Sequence, residues 1–113
     1  MELRKLQKAA VAALEDVKAR DIEVFDATHL SPLFDRVIIA SADSSRQLRA
    51  LARHVQDATR AAGGRICGVE GEDEGEWVLI DLGDIVVHLM QPAVRAHYNL
   101  EELWGQPKLT LKP

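Results

Sequence analysis

One stretch of this chain, Gly75 to Met90 (GEWVLIDLGDIVVHLM), restricts the possible folds more than any other. Two apolar runs, Glu76–Leu82 and Ile85–Met90, flank Gly83-Asp84, a pair suited to a two-residue hairpin turn with glycine at its first central position. That turn sets a register in which Trp77 faces Met90, Leu79 faces His88 and Asp81 faces Val86. The alternate pairs are Val78–Leu89, Ile80–Val87 and Leu82–Ile85. Side chains alternate across a strand, so the two sets occupy opposite faces of the sheet. The second set is wholly aliphatic and reads as core. The first combines an indole, a thioether, an imidazole, a leucine and an acid, which suits a surface prepared for a partner.

The rest of the chain supplies the elements that such a hairpin needs around it. Leu3, Leu6, Ala10, Ala13, Leu14 and Val17 recur at helical spacing and predict an amphipathic helix from about Leu3 to Ala19. After Asp21, the stretch IEVFDA reads as a strand by its β-branched and aromatic content. His29-Leu30-Ser31-Pro32 is a connector that Pro32 closes to regular structure. Asp35–Ser41 (DRVIIAS) is apolar on both faces, as expected of a strand inside the sheet. Ser44 and Gln47 have the spacing of a capping box and open a second helix with its apolar stripe at Leu48, Leu51, Val55, Ala58 and Ala62. Gly63-Gly64 ends it. Ile66–Val69 reads as a short strand, Glu70–Glu76 as an acidic loop, and Pro92 as the first-turn proline of a third helix that runs through Val94 and Tyr98. Leu100, Leu103 and Trp104 form a short continuation. The expected fold is α/β, a single mixed sheet of about five strands with helices packed mainly on one face. Residues 1–104 read as one domain, and 105–113, with two prolines and no periodicity, as a flexible tail.

Composition narrows the function classes. A net charge of -4 argues against a strongly basic phosphate-backbone binder; such a chain working near RNA would grip a basic protein there. Cys67 is the single cysteine, so no internal disulfide forms, and in its apolar strand it would act as a small hydrophobe. No apolar run approaches ~20 residues and MELRKLQKAA lacks a signal peptide's apolar block, which makes the cytosol the expected compartment.

Signs of catalysis are few. His29, His54, His88 and His97 lie in four different elements, none at the short spacing of a helical zinc site. His88 and Asp81 share a sheet face on adjacent strands, which leaves a metal or acid–base pair to weigh against a plainly hydrogen-bonded imidazole. Ser44 and Ser45 precede arginine rather than a nucleophile-elbow glycine, and Gly63-Gly64 follows a helix instead of opening one, so it lacks the amides that hold phosphate. A nucleotide-transfer enzyme would use paired acids such as Asp-x-Asp to hold two ions. Asp81 and Asp84 are instead split across the turn. The acids Glu70, Glu72, Asp73, Glu74 and Glu76 read as a solvated loop, or as electrostatic steering towards a basic partner. Arg46, Arg49, Arg53 and Arg60 form a narrow band on the second helix, either a solvated face or a contact for RNA phosphate. Trp77, Met90, Tyr98 and Trp104 are residue types enriched at binding hot spots, against a core reading for each.

The ordered set FDRVIIAS, SSRQLRALARHV, VEGEDEGEWVLIDLGDIVVHLMQP and VRAHYNLEELW, within about Leu6 to Trp104, resembles the ribosomal silencing factor RsfS family, also called Iojap-like proteins. The resemblance implies a fold related to the nucleotidyltransferases but without their activity. The missing Asp-x-Asp agrees, as does Ser41-Ala42-Asp43-Ser44 in place of a Gly-Ser pair after the second strand. Ala42-Asp43 departs from the Gly-Thr or Gly-Asn common in relatives. The resemblance further implies a translational repressor, not an enzyme, with no cofactor and no metal. Such a protein binds the large ribosomal subunit through ribosomal protein fourteen (L14) and bars the small subunit, mainly when nutrients run short. Related proteins of organelles are linked to assembly of the large subunit. The expected partner-binding residues are Trp77, Leu79, Asp81, His88 and Met90 of the hairpin and Tyr98 of the third helix, with Asp81 facing a basic side chain. Their positions follow from strand alternation; the partner follows from the resemblance. For Arg46, Arg49 and Arg53 a peripheral contact with ribosomal RNA is the alternative to a solvated face. The alternatives are a large-subunit assembly factor, a metal-dependent nucleotidyltransferase with relocated acids, and a homodimer formed through the mixed face.

Overall fold

A computed structural model describes residues 2–104 and 108–109. The elements run α1 (Leu3–Asp16), β1 (Arg20–Asp26), β2 (Arg36–Ser41), α2 (Ser45–Ala61), β3 (Gly68–Glu70), β4 (Trp77–Asp81), β5 (Ile85–Met90), α3 (Pro92–Tyr98), α4 (Leu100–Trp104) and a two-residue β6 (Lys108–Leu109). They build one mixed sheet in the order β3-β4-β5-β2-β1-β6. The chain passes from β2 through α2 and the β3–β4 hairpin to β5, which lies parallel to β2; the other neighbours are antiparallel. β2 is therefore interior, as its two-sided apolar pattern requires.

Two apolar clusters lie on either side of the sheet. The larger joins Leu6, Ala10 and Leu14 of α1 and Leu48, Leu51 and Val55 of α2 to Val24, Ile38, Ala40, Val78, Ile80, Val87 and Leu89 of the sheet. The smaller, on the opposite face, holds Phe25, Ala27, Val37, Ile39 and Met90, with Phe34, Trp77, Val94 and Leu100 packed on it. The two long helices thus share one face, while the short α3 and α4 cover one end of the other.

Local chemistry explains the element ends, with three departures from expectation. Ser44 Oγ accepts from Gln47 N (3.1 Å) as the capping box requires, but in the return bond Gln47 Oε1 accepts from Asp43 N (3.4 Å), one residue before the cap. The Gln47 amide also donates to the carbonyls of Val17 and Lys18, tying α2 to the end of α1. Helix α1 ends at Asp16 rather than Ala19, because Lys18 takes a left-handed φ of 59°. β3 begins at Gly68, so Cys67 lies just outside the strand, exposed rather than packed as a small hydrophobe. Of the expected tail, Lys108–Leu109 pair with Val24 and Phe25 of β1; residues 105–107 and 110–113 lie outside the described residues.

Candidate functional site

The β4–β5 hairpin has the register set by its sequence, with Trp77 opposite Met90, Leu79 opposite His88 and Asp81 opposite Val86. Leu82 N donates to Ile85 O (2.9 Å) across the turn, where Gly83 takes a φ of 90° that favours glycine. The aliphatic set Val78, Ile80, Val87 and Leu89 is wholly buried under α1 and α2.

The mixed face divides by depth. Trp77, Leu79 and Asp81 on β4 are half-buried, and Tyr98 on α3 is 56% exposed. All six residues of β5 are buried, including His88 at 8% exposure and Met90 at 0%. Expecting Met90 on the docking surface is therefore corrected: its thioether packs among Phe25, Ile39, Trp77, Val94 and Leu100, and α3 closes over it. His88 is corrected in the same sense, since the Trp77 indole leans across it and Nε1–H donates to His88 Nδ1 at 3.0 Å. An indole nitrogen only donates, so Nδ1 holds the lone pair and the proton of the neutral ring sits on Nε2. Burial pushes the imidazole pKa from 6.5 down to about 4, so the ring is neutral at physiological pH.

Above this buried layer an aromatic cluster faces outward. The Trp77 and Tyr98 ring centres are 4.8 Å apart at 49°, and His97 meets Tyr98 edge-on at 4.9 Å. Tilted contacts at these separations suit the ring quadrupoles and hold the surface together without covering it. Asp81 turns back on its own hairpin, accepting from Gly83 N at 2.8 Å. That bond occupies Oδ1 and leaves the carboxylate at the surface. His88 and Asp81 therefore do not join as a metal or acid–base pair. Among the described residues no group of three or more His, Cys, Asp or Glu is placed to hold a metal ion.

What positions α3 was not foreseen. Arg95, 7% exposed, donates from Nη1 to Ser41 Oγ, from Nη2 to Glu23 Oε1 and from Nε to Glu101 Oε2, each at 2.9 Å. One guanidinium thus pins α3 to β1, β2 and α4 and sets where Tyr98 stands. Strand alternation held the clue: Ser41 and Glu23 continue the faces of Ile39 and Phe25, and polar groups at such positions need partners. The start of β4 is held from the other side. The Gln91 amide donates to Ser45 Oγ and Gly75 O, both at 3.0 Å, and Gln91 N donates to Glu76 O at 3.0 Å.

The arginine band is exposed on α2, but its members differ in employment. Arg49 donates to the carbonyls of Glu72 (2.8 Å) and Asp73 (2.7 Å) and so clasps the acidic loop. Arg60 lies 3.8 Å from Asp57. At the opposite end of the mixed face, the β1–β2 connection exposes Leu30 (51%), part of the expected connector, and Leu33 (81%), for which the sequence carries no signal. Asp35 N donates to Asp84 O (2.8 Å), placing this connection beside the hairpin tip.

The family model described as "Ribosomal silencing factor during starvation" (RsfS) matches residues 1–112. The chain belongs to the RsfS family. It is 51% identical to the ribosomal silencing factor RsfS of Chromobacterium violaceum over 108 residues, which is 96% of this chain and 88% of that protein. A crystal structure of a Chromobacterium violaceum protein superposes with a TM-score of 0.91 at 50% identity, covering 97% of this chain and 92% of that one. More distantly, it is 33% identical to a Mus musculus protein named "Mitochondrial assembly of ribosomal large subunit protein 1", over 83% of this chain and 42% of that protein. The family is named for a regulator of the ribosome, and the α/β fold read from the sequence is the fold of its solved members.

Proposed function

We propose that this protein represses translation by occlusion. It docks in the cytosol on the large ribosomal subunit through ribosomal protein fourteen (L14) and bars the small subunit by its bulk. The observation that carries the reading is the outward cluster of Trp77, Tyr98 and Leu79 beside the free edge of Asp81, on a sheet face that no long helix covers. Aromatic and aliphatic groups supply burial at about 25 cal/mol per Å². Asp81 supplies a charge for a basic neighbour, with the acidic loop steering the approach. The mechanism is binding, with no turnover. Arg46 and Arg53 are the members of the band for which ribosomal RNA phosphate is the fitting partner, since Arg49 is engaged with the acidic loop.

Subunit joining followed by light scattering tests this directly. Added protein lowers the yield of joined ribosomes in proportion to its occupancy of large subunits; unchanged joining at saturating protein contradicts the reading. A second reading, assembly of the large subunit, is favoured by the name of the mouse relative. It predicts that cells lacking the protein accumulate incomplete large subunits. Self-association through the same face would use Trp77 and Leu79, because Met90 has no exposed surface to offer a second copy.

A further inference from the structure

We propose that His88 is a positioning residue for docking: its Nδ1 holds the Trp77 indole by the N–H edge, so that Trp77 meets the partner with a fixed ring and no free hydrogen-bond donor. The inference rests on the docking reading and deepens it.

Four observations combine. The Nε1–Nδ1 distance of 3.0 Å is a normal hydrogen bond, made from a half-buried indole to a buried imidazole on the adjacent strand. The imidazole has almost no surface of its own, so its direct contribution to an interface is small. Tyr98 lies against the indole at 4.8 Å, so the side chain is held by ring packing as well as by its polar edge. The neutral state of His88 keeps the acceptor available across the physiological range.

The consequence concerns affinity through preorganisation. An indole free to change rotamer must be immobilised on binding, whereas one already held carries less of that entropic cost. Spending the N–H internally also changes specificity. A partner that offers an acceptor to Trp77 gains nothing, while one that offers an apolar or cationic surface to its ring gains fully. The partner patch over Trp77 is therefore aliphatic or basic.

The test compares variants of the full-length protein binding purified large ribosomal subunits, alongside the ¹H–¹⁵N signal of the Trp77 indole. His88→Leu removes the acceptor, and His88→Asn keeps an acceptor close to where Nδ1 stands. The expected results are protection of the indole N–H from solvent exchange in wild type and in His88→Asn, and loss of it in His88→Leu. Binding weakens about three- to tenfold in His88→Leu and recovers substantially in His88→Asn. Trp77→Phe and His88→Leu act through one hydrogen bond, so their combined effect on binding falls short of the sum. The proposal is overturned if His88→Leu binds as wild type while Trp77→Ala does not, and equally if His88→Asn loses as much as His88→Leu. If Trp77→Ala also binds as wild type, the docking reading itself fails.

Discussion

His88 and Arg95 are polar side chains enclosed at the border of the mixed face, and each leaves a measurable trace on stability. The imidazole has a pKa of about 4 when folded against 6.5 in the open chain, so between those values the unfolded state binds more protons. Its contribution is fully present above pH 6.5 and is lost as pH falls towards 4. A shift of that size corresponds to about 3 kcal/mol. Urea titrations at pH 7 and pH 4.5 should therefore show wild type losing more stability than His88→Asn; equal losses would rule out a buried neutral imidazole. Arg95 is bonded to two carboxylates and a hydroxyl. Removing the guanidinium takes a buried charged donor from Glu101 and Ser41 and unpins α3, so Arg95→Ala should cost about 3 kcal/mol in chemical denaturation. By releasing α3 it should also raise the mobility of Tyr98. A cost below about 1 kcal/mol would show the network to be exchangeable with water.

The hairpin carries the surface, and two glycines set its geometry differently. At Gly83 a Cβ would stand 3.6 Å from Cys67 Sγ, in ordinary contact, so Gly83→Ala bears only the left-handed strain of about 1 kcal/mol. At Gly71 a Cβ would fall 2.0 Å from Trp77 O, at a φ of 88°. Gly71→Ala must push the first residue of β4 aside. It should cost more than Gly83→Ala in urea melts and weaken subunit binding as well; equal cost would mean that the loop absorbs the shift. These differences mark where sequence reading succeeds and where it stops. The hairpin register was legible because Gly83-Asp84 fixes the turn and alternation does the rest. Depth was not. Period-2 patterning assigns Met90 and Trp77 to one face but cannot say that α3 closes over the first and leaves the second at the surface. The ties made by Arg95 join residues far apart in the chain, so spacing along the sequence hides them. Cys67 was misplaced because two residues decide whether it stands inside β3 or before it.

At the scale of the molecule, the fold gives its two faces separate duties. The long helices α1 and α2 cover one side of the sheet and form most of the core, which leaves the hairpin's other side free of any structural duty beyond the small cluster under α3. A rigid sheet carrying aromatic anchors suits a protein that works by occupying space, since nothing on that face needs to move. The most direct measurement is sedimentation of the purified protein with separated large subunits, comparing wild type with Trp77→Ala and Leu79→Asp after confirming that both variants fold. Wild type should travel with the large subunit at one copy each, and both variants should remain near the top of the gradient. Co-sedimentation of both variants at wild-type levels would contradict the assignment of this surface.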